Sequence, residues 1–99
     1  MYKTASKQVR SLIDRRRRQL HVHSVIYYHL GTSIVSDAVF DRWSTELVDL
    51  QREYPGVGTY RTDLFVDWSG DTGMHLHVDD RTASLAKWLI KRSEHEIIC

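Results

Sequence analysis

Apolar positions divide the chain into two stretches of helical period, one of period two and a third helical stretch. From Thr4 or Ser6, either one a suitable N-cap, the residues Val9, Leu12, Ile13, Leu20, Ile26, Tyr27 and Leu30 recur mostly at three-, four- or seven-residue spacings. That spacing predicts one long helix, stopped by Gly31. Ser36 is the next N-cap, with Asp37 in the first turn, where a carboxylate complements the helix dipole. Phe40, Trp43, Leu47, Leu50 and Tyr54 then form a stripe spaced 3, 4, 3 and 4, and Pro55-Gly56 closes this second helix.

Beyond Gly58 the period changes. Tyr60, Leu64, Val66 and Trp68 alternate with Arg61, Asp63, Phe65 and Asp67, and after the polar loop Ser69-Gly-Asp-Thr-Gly73, Met74, Leu76 and Val78 alternate with His75, His77 and Asp79. Two such runs predict a β-hairpin, which is marginal alone and must pack on the helices. Asp80 or Thr82 caps a last helix carrying Leu85, Ala86, Leu89 and Ile90 and reaching Ser93 or beyond. The expected order is α-α-β-β-α, an α+β fold in which a helical hairpin is followed by a β-hairpin and a C-terminal helix, all in a single domain over residues 1–99.

Composition agrees with a folded domain: 99 residues, 41% hydrophobic and 27% charged, with three Trp, five Tyr and two Phe. Fourteen basic against thirteen acidic residues leave +1, too balanced to point to nucleic acid by bulk charge. Residues 1–50 hold eight Lys/Arg and five Asp/Glu, residues 51–99 six and eight, a mild asymmetry. The single cysteine, Cys99, excludes an internal disulfide and a cysteine zinc site, and fits a reducing compartment. There is no apolar signal-peptide core at the start and no apolar run near the roughly 18 residues of a membrane span, so a cytoplasmic protein without membrane contact is expected.

One segment carries a resemblance. Tyr27-Tyr-His-Leu-Gly-Thr-Ser-Ile-Val-Ser-Asp-Ala-Val-Phe-Asp-Arg42, followed by Glu46-Leu-Val-Asp-Leu-Gln-Arg-Glu-Tyr-Pro55, resembles the N-terminal subdomain of bacterial NAD-dependent DNA ligases over roughly residues 20–57. The shared order is Tyr-Tyr on a first helix, a short link, Ser-Asp-Ala-x-Tyr-Asp opening a second helix, then Glu-Leu and a closing Pro. Phe40 stands where the family has its second tyrosine and keeps a stacking surface. The resemblance implies a helical subdomain that grips the nicotinamide mononucleotide half of NAD, contributing binding and orientation. Tyr28, His29, Asp37, Phe40 and Asp41 are the matching positions and the candidate cofactor-binding residues. An aromatic pair stacks a flat ring, and carboxylates accept ribose or amide hydrogens and favour a cationic ring. Asp37, Phe40 and Asp41, at i, i+3 and i+4, share one helix face.

The ligase nucleophile motif Lys-x-Asp-Gly is absent, since no lysine here is followed by x-Asp-Gly, so ligation by this chain alone is not expected. Residues 58–99 have no recognised counterpart in that subdomain. Small free-standing proteins with this pattern resemble bacteriophage-encoded ones, which would place the protein in a host cytoplasm.

The remaining chemistry is sparse. His75 and His77, at i and i+2, share one strand face with Asp79 and are the side chains that would supply metal ligands, but no fourth ligand is identified and no metal is expected. Arg15, Arg16, Arg17 and Arg18, with Arg10, Lys3 and Lys7, are the candidate contacts to nucleic-acid phosphates, although four consecutive helical residues point around most of the circumference. Asp67 and Asp71 lack the twelve-residue calcium pattern. No catalytic constellation emerges. The leading expectation is a small non-catalytic module binding NAD, nicotinamide mononucleotide or a related nucleotide. The alternatives are a protein- or nucleic-acid-interaction module, such as a replication or repair accessory or a viral host-modulating protein, and a piece acting in trans with a separate nucleotidyltransferase. A homodimer is compatible with the small size and three Trp.

Overall fold

The computed structural model describes residues 5–65, 68–70, 76 and 78–98. Among these, four helices follow in order: α1 Lys7–Tyr28, α2 Asp37–Glu53, α3 Thr62–Phe65 and α4 Asp80–Ile98. Each long helix opens on a side-chain cap. Ser6 Oγ accepts the Val9 N–H, Ser36 Oγ accepts the Val39 N–H and Asp79 Oδ1 accepts the Thr82 N–H at 2.7 Å. The cap of α4 is thus Asp79, in place of the expected Asp80 or Thr82. Gly31 and Gly56, both at positive φ, end the first two helical segments.

Helix α1 is the centre of the structure, packing against α2 and α4. Its first half joins Leu47 of α2 and Phe65, Trp68 and Leu76 around Ile13 and Leu20. The second half packs Val22, Val25 and Ile26 on Ala86 of α4, with Ile34, Val78, Leu89 and Ile90 at the margin. The α2 stripe turns inward: Leu47 is fully buried, and Phe40, Trp43, Leu50 and Tyr54 pack half-buried around it.

The expected α+β class is incorrect. No strand occurs among the described residues, and the run predicted as the first strand contains the helical turn α3. Period two would put Leu64 and Phe65 on opposite faces, yet Leu64 packs on the core that fully buries Phe65. Side chains from α1 and α2 satisfy the backbone that a sheet would have paired. Asp14 Oδ1 accepts the Thr59 and Tyr60 N–H groups at 2.8 and 2.9 Å, Arg17 donates to the Val57 and Tyr60 carbonyls, and Gln51 Nε2 donates to the Phe65 carbonyl at 2.8 Å. Burial pushes the Asp14 carboxyl up, but these hydrogen bonds and the Arg17 charge pull harder, so it ends below the usual carboxylate range. In the second expected strand, Met74, His75 and His77 lie outside the described residues.

The loop entering α3 leaves no room for a side chain at Gly58. Its φ is +105°, and a Cβ there would stand 2.8 Å from Arg17 Nη1 and 2.9 Å from Ile13 Cγ2. Gly58→Ala is therefore expected to cost about 1–3 kcal/mol through overpacking and backbone strain, read as a lower urea midpoint with an unchanged slope.

Candidate functional site

The last turn of α1, the link Ser33–Val35 and the first turn of α2 enclose a cavity of about 330 Å³. Local sequence explains the geometry. Gly31, at φ +70°, turns the chain away from α1, Ser33 Oγ–H donates to the Val35 carbonyl at 2.7 Å, and the Ser36 cap launches α2 back alongside α1.

Four of the five candidate residues line this cavity: Tyr28 from α1, and Asp37, Phe40 and Asp41 from the adjacent face of α2. His29 does not. It is the C-cap of α1, exposed, with its N–H spent on the Val25 carbonyl at 3.0 Å. Tyr27, one of the apolar residues whose spacing predicted α1, lines the cavity instead, 53% exposed, and its ring meets that of Tyr28 edge-on at 4.8 Å. The cavity has two tyrosine rings and one phenylalanine ring on its wall, with two carboxylates at the mouth, where Asp37 and Asp41 are exposed.

His23 and Gly70 also line it. His23 lies one turn before Tyr27 on the same face of α1, a spacing visible in the sequence; nothing local marks Gly70, which tertiary packing brings in. The His23 ring rests 5.3 Å from that of Trp43, and its Nδ1 is buried with no hydrogen-bond partner. Burial holds the imidazole below its ordinary pKa, so it is neutral at pH 7. The unfolded chain takes up that proton first on acidification, so stability is lost as pH falls from about 6.5 towards the depressed native value. Urea titrations at pH 7.5 and 5.5 should show this loss in the wild type and a smaller one in His23→Gln.

The other candidates are dispersed. Arg17 is buried in the loop contacts described above, Arg16 pairs with Glu46 at 3.2 Å and with Gln19, and Arg18 lies over the Tyr60 ring at 5.2 Å, while Arg15 is exposed. The four therefore present no continuous basic face. His75 and His77 lie outside the described residues, and among the described residues no three of His, Cys, Asp and Glu are placed to hold a metal. No helix among the described residues is long and apolar enough to cross a membrane.

Comparison with known proteins bears on the same part of the chain. Residues 6–61 match the family model described as DNA ligase-like, N-terminal NAD+-binding domain. A DNA ligase of Pseudothermotoga lettingae is 32% identical over 53 residues, 54% of this chain and 8% of that protein. DNA ligases of Carboxydothermus hydrogenoformans and Bacteroides fragilis are 40% and 43% identical over 47 residues, each alignment covering 48% of this chain and 7% of the relative. The chain thus spans less than a tenth of the length of these relatives. No solved structure matches it. The family match takes in more than half of the chain, with α1, α2, the link between them and, among the described residues, all but Gly70 of the cavity wall, so the chain belongs to the DNA ligase-like, N-terminal NAD+-binding domain family.

Proposed function

We propose that this chain is a binding module for the nicotinamide half of NAD+, held in the cavity between α1 and α2 without chemical change. The observation that supports this reading is the convergence of Tyr28, Phe40, Asp37 and Asp41 on one cavity inside the segment that matches the NAD+-binding family. The residues present fit such a group. A nicotinamide ring is flat and cationic, so it gains from aromatic faces and from nearby carboxylates, which also accept ribose hydroxyl hydrogens. A cavity of about 330 Å³ is at the small end of ligand sites, suited to half of a dinucleotide. His23, neutral through burial, adds no positive charge that would repel the ring.

Calorimetric and thermal-shift titrations with NAD+, nicotinamide mononucleotide and AMP in parallel test the reading. Saturable binding of the first two, with AMP silent, is expected. At a concentration 100 times the dissociation constant, the stabilisation should be about 2.7 kcal/mol. No response to nicotinamide mononucleotide, or equal binding of AMP, would count against it.

A further inference from the structure

Helix α4 packs one face on α1 and leaves another uncovered. On the outer face Trp88 is 54% and Leu85 43% exposed, and the Arg92 guanidinium lies over the Trp88 ring at 5.3 Å. Arg81, Lys87 and Lys91, all exposed, flank these residues, so an aromatic and aliphatic strip is bordered by cations. Large apolar side chains left in solvent on one helix face mark an interaction surface.

The outer face of α2 is its electrostatic opposite. A shallow groove runs along it, with Ala38 and Leu50 as apolar lining and Asp41, Asp49 and Glu53 as its charged edge, next to Glu46, which pairs with Arg16. Arg42 is the one cation in this lining. At 1.5 Å per residue, the α4 strip from Arg81 to Arg92 is about 17 Å long and the groove from Ala38 to Glu53 about 23 Å, so one accommodates the other. The two faces belong to the two helices that pack on α1.

We propose that the protein self-associates by seating the Leu85–Trp88 strip of α4 from one copy in the acidic α2 groove of another. Trp88 is the apolar anchor, and Lys87 and Lys91 face the Asp49 and Glu53 side of the groove. The occupant is a second copy because the same chain carries both halves of the charge match, and its formal charge of +1 leaves little net repulsion between copies.

Sedimentation equilibrium of the whole chain over a range of concentrations, in low and high salt, tests this. The wild type should show a mass above 11.6 kDa that rises with concentration and falls with salt. Trp88→Ala should weaken association at least about tenfold, as loss of a central aromatic anchor does. Lys87→Glu/Lys91→Glu and Asp49→Lys/Glu53→Lys should each be monomeric alone and associate again when mixed, because the mixture restores an opposite-charge match in both directions. Circular dichroism checks that every variant is folded. A wild type that stays monomeric overturns the proposal, as does association that survives these substitutions or a mixture that stays monomeric. Monomeric protein that co-sediments with anionic lipid vesicles through Trp88 overturns it too, assigning the strip to a membrane surface.

Discussion

Arg17→Ala is expected to destabilise the protein by about 3–5 kcal/mol, because it removes the side chain that, with Asp14, organises the chain between α2 and α3. Arg17 is only 3% exposed. Its Nε donates to Gln51 Oε1 at 2.8 Å, Nη1 to the Tyr60 carbonyl at 3.2 Å and Thr62 Oγ1 at 3.3 Å, and Nη2 to the Val57 carbonyl at 3.3 Å. Truncation strips a donor from each of these acceptors, three of them half-buried, and an acceptor left unmet away from water costs more than a made bond contributes. It also takes away a positive charge that helps hold Asp14 ionised, and Asp14 carries the Thr59 and Tyr60 N–H groups. Arg17→Lys should recover only part of the loss, since an ammonium cannot reproduce the planar fork that spans four acceptors. Urea unfolding followed by circular dichroism measures both. A loss below about 1 kcal/mol for Arg17→Ala would mean that water replaces the guanidinium at these carbonyls.

Tyr28→Ala is expected to weaken nicotinamide mononucleotide binding by about 10- to 100-fold, the range that removal of one aromatic stacking partner produces. Tyr28 is only half-buried and lies at the end of α1, so the fold should survive, in contrast to Arg17→Ala. Asp41→Asn, which keeps the shape and removes the charge, should weaken binding of the cationic ring while leaving the melting temperature of the free protein nearly unchanged. Tyr27→Ala should also weaken binding, and His29→Ala should not, because Tyr27 is on the cavity wall and His29 is off it. Calorimetry on the four variants reads these differences directly. If Tyr28→Ala and Asp41→Asn fold and bind as the wild type does, the ligand sits elsewhere.

The pocket was legible in the sequence to the extent that helix periodicity and capping made it so. Asp37, Phe40 and Asp41 share a face because of their i, i+3, i+4 spacing, and Ser36 starts their helix through a bond to Val39, three residues on. Tyr28 came with the Tyr-Tyr pair of the family pattern. The same reasoning used Tyr27 only to predict α1 and left His23 aside, since spacing says which residues share a face but not what that face meets. At the last turn of α1 it meets the link and the start of α2 around an open cavity.

Local information therefore determined α1, α2 and α4. Their periods run long enough to be unambiguous, and the stops of α1 and α2 are glycine and proline, whose backbone effects need no partner. The stretch from Val57 to Trp68 was beyond its reach. Seven or eight alternating residues satisfy a strand pattern as readily as a loop with one helical turn, and the choice depends on where the backbone finds its hydrogen bonds. Here Asp14, Arg17 and Gln51, between 14 and 46 residues away in the chain, supply them, and Phe65 fills the space between α1 and α2 that a strand would have turned it away from. Those partners become neighbours only after α1 and α2 have packed, so tertiary structure alone decided that segment, and with it the all-helical character of the described residues.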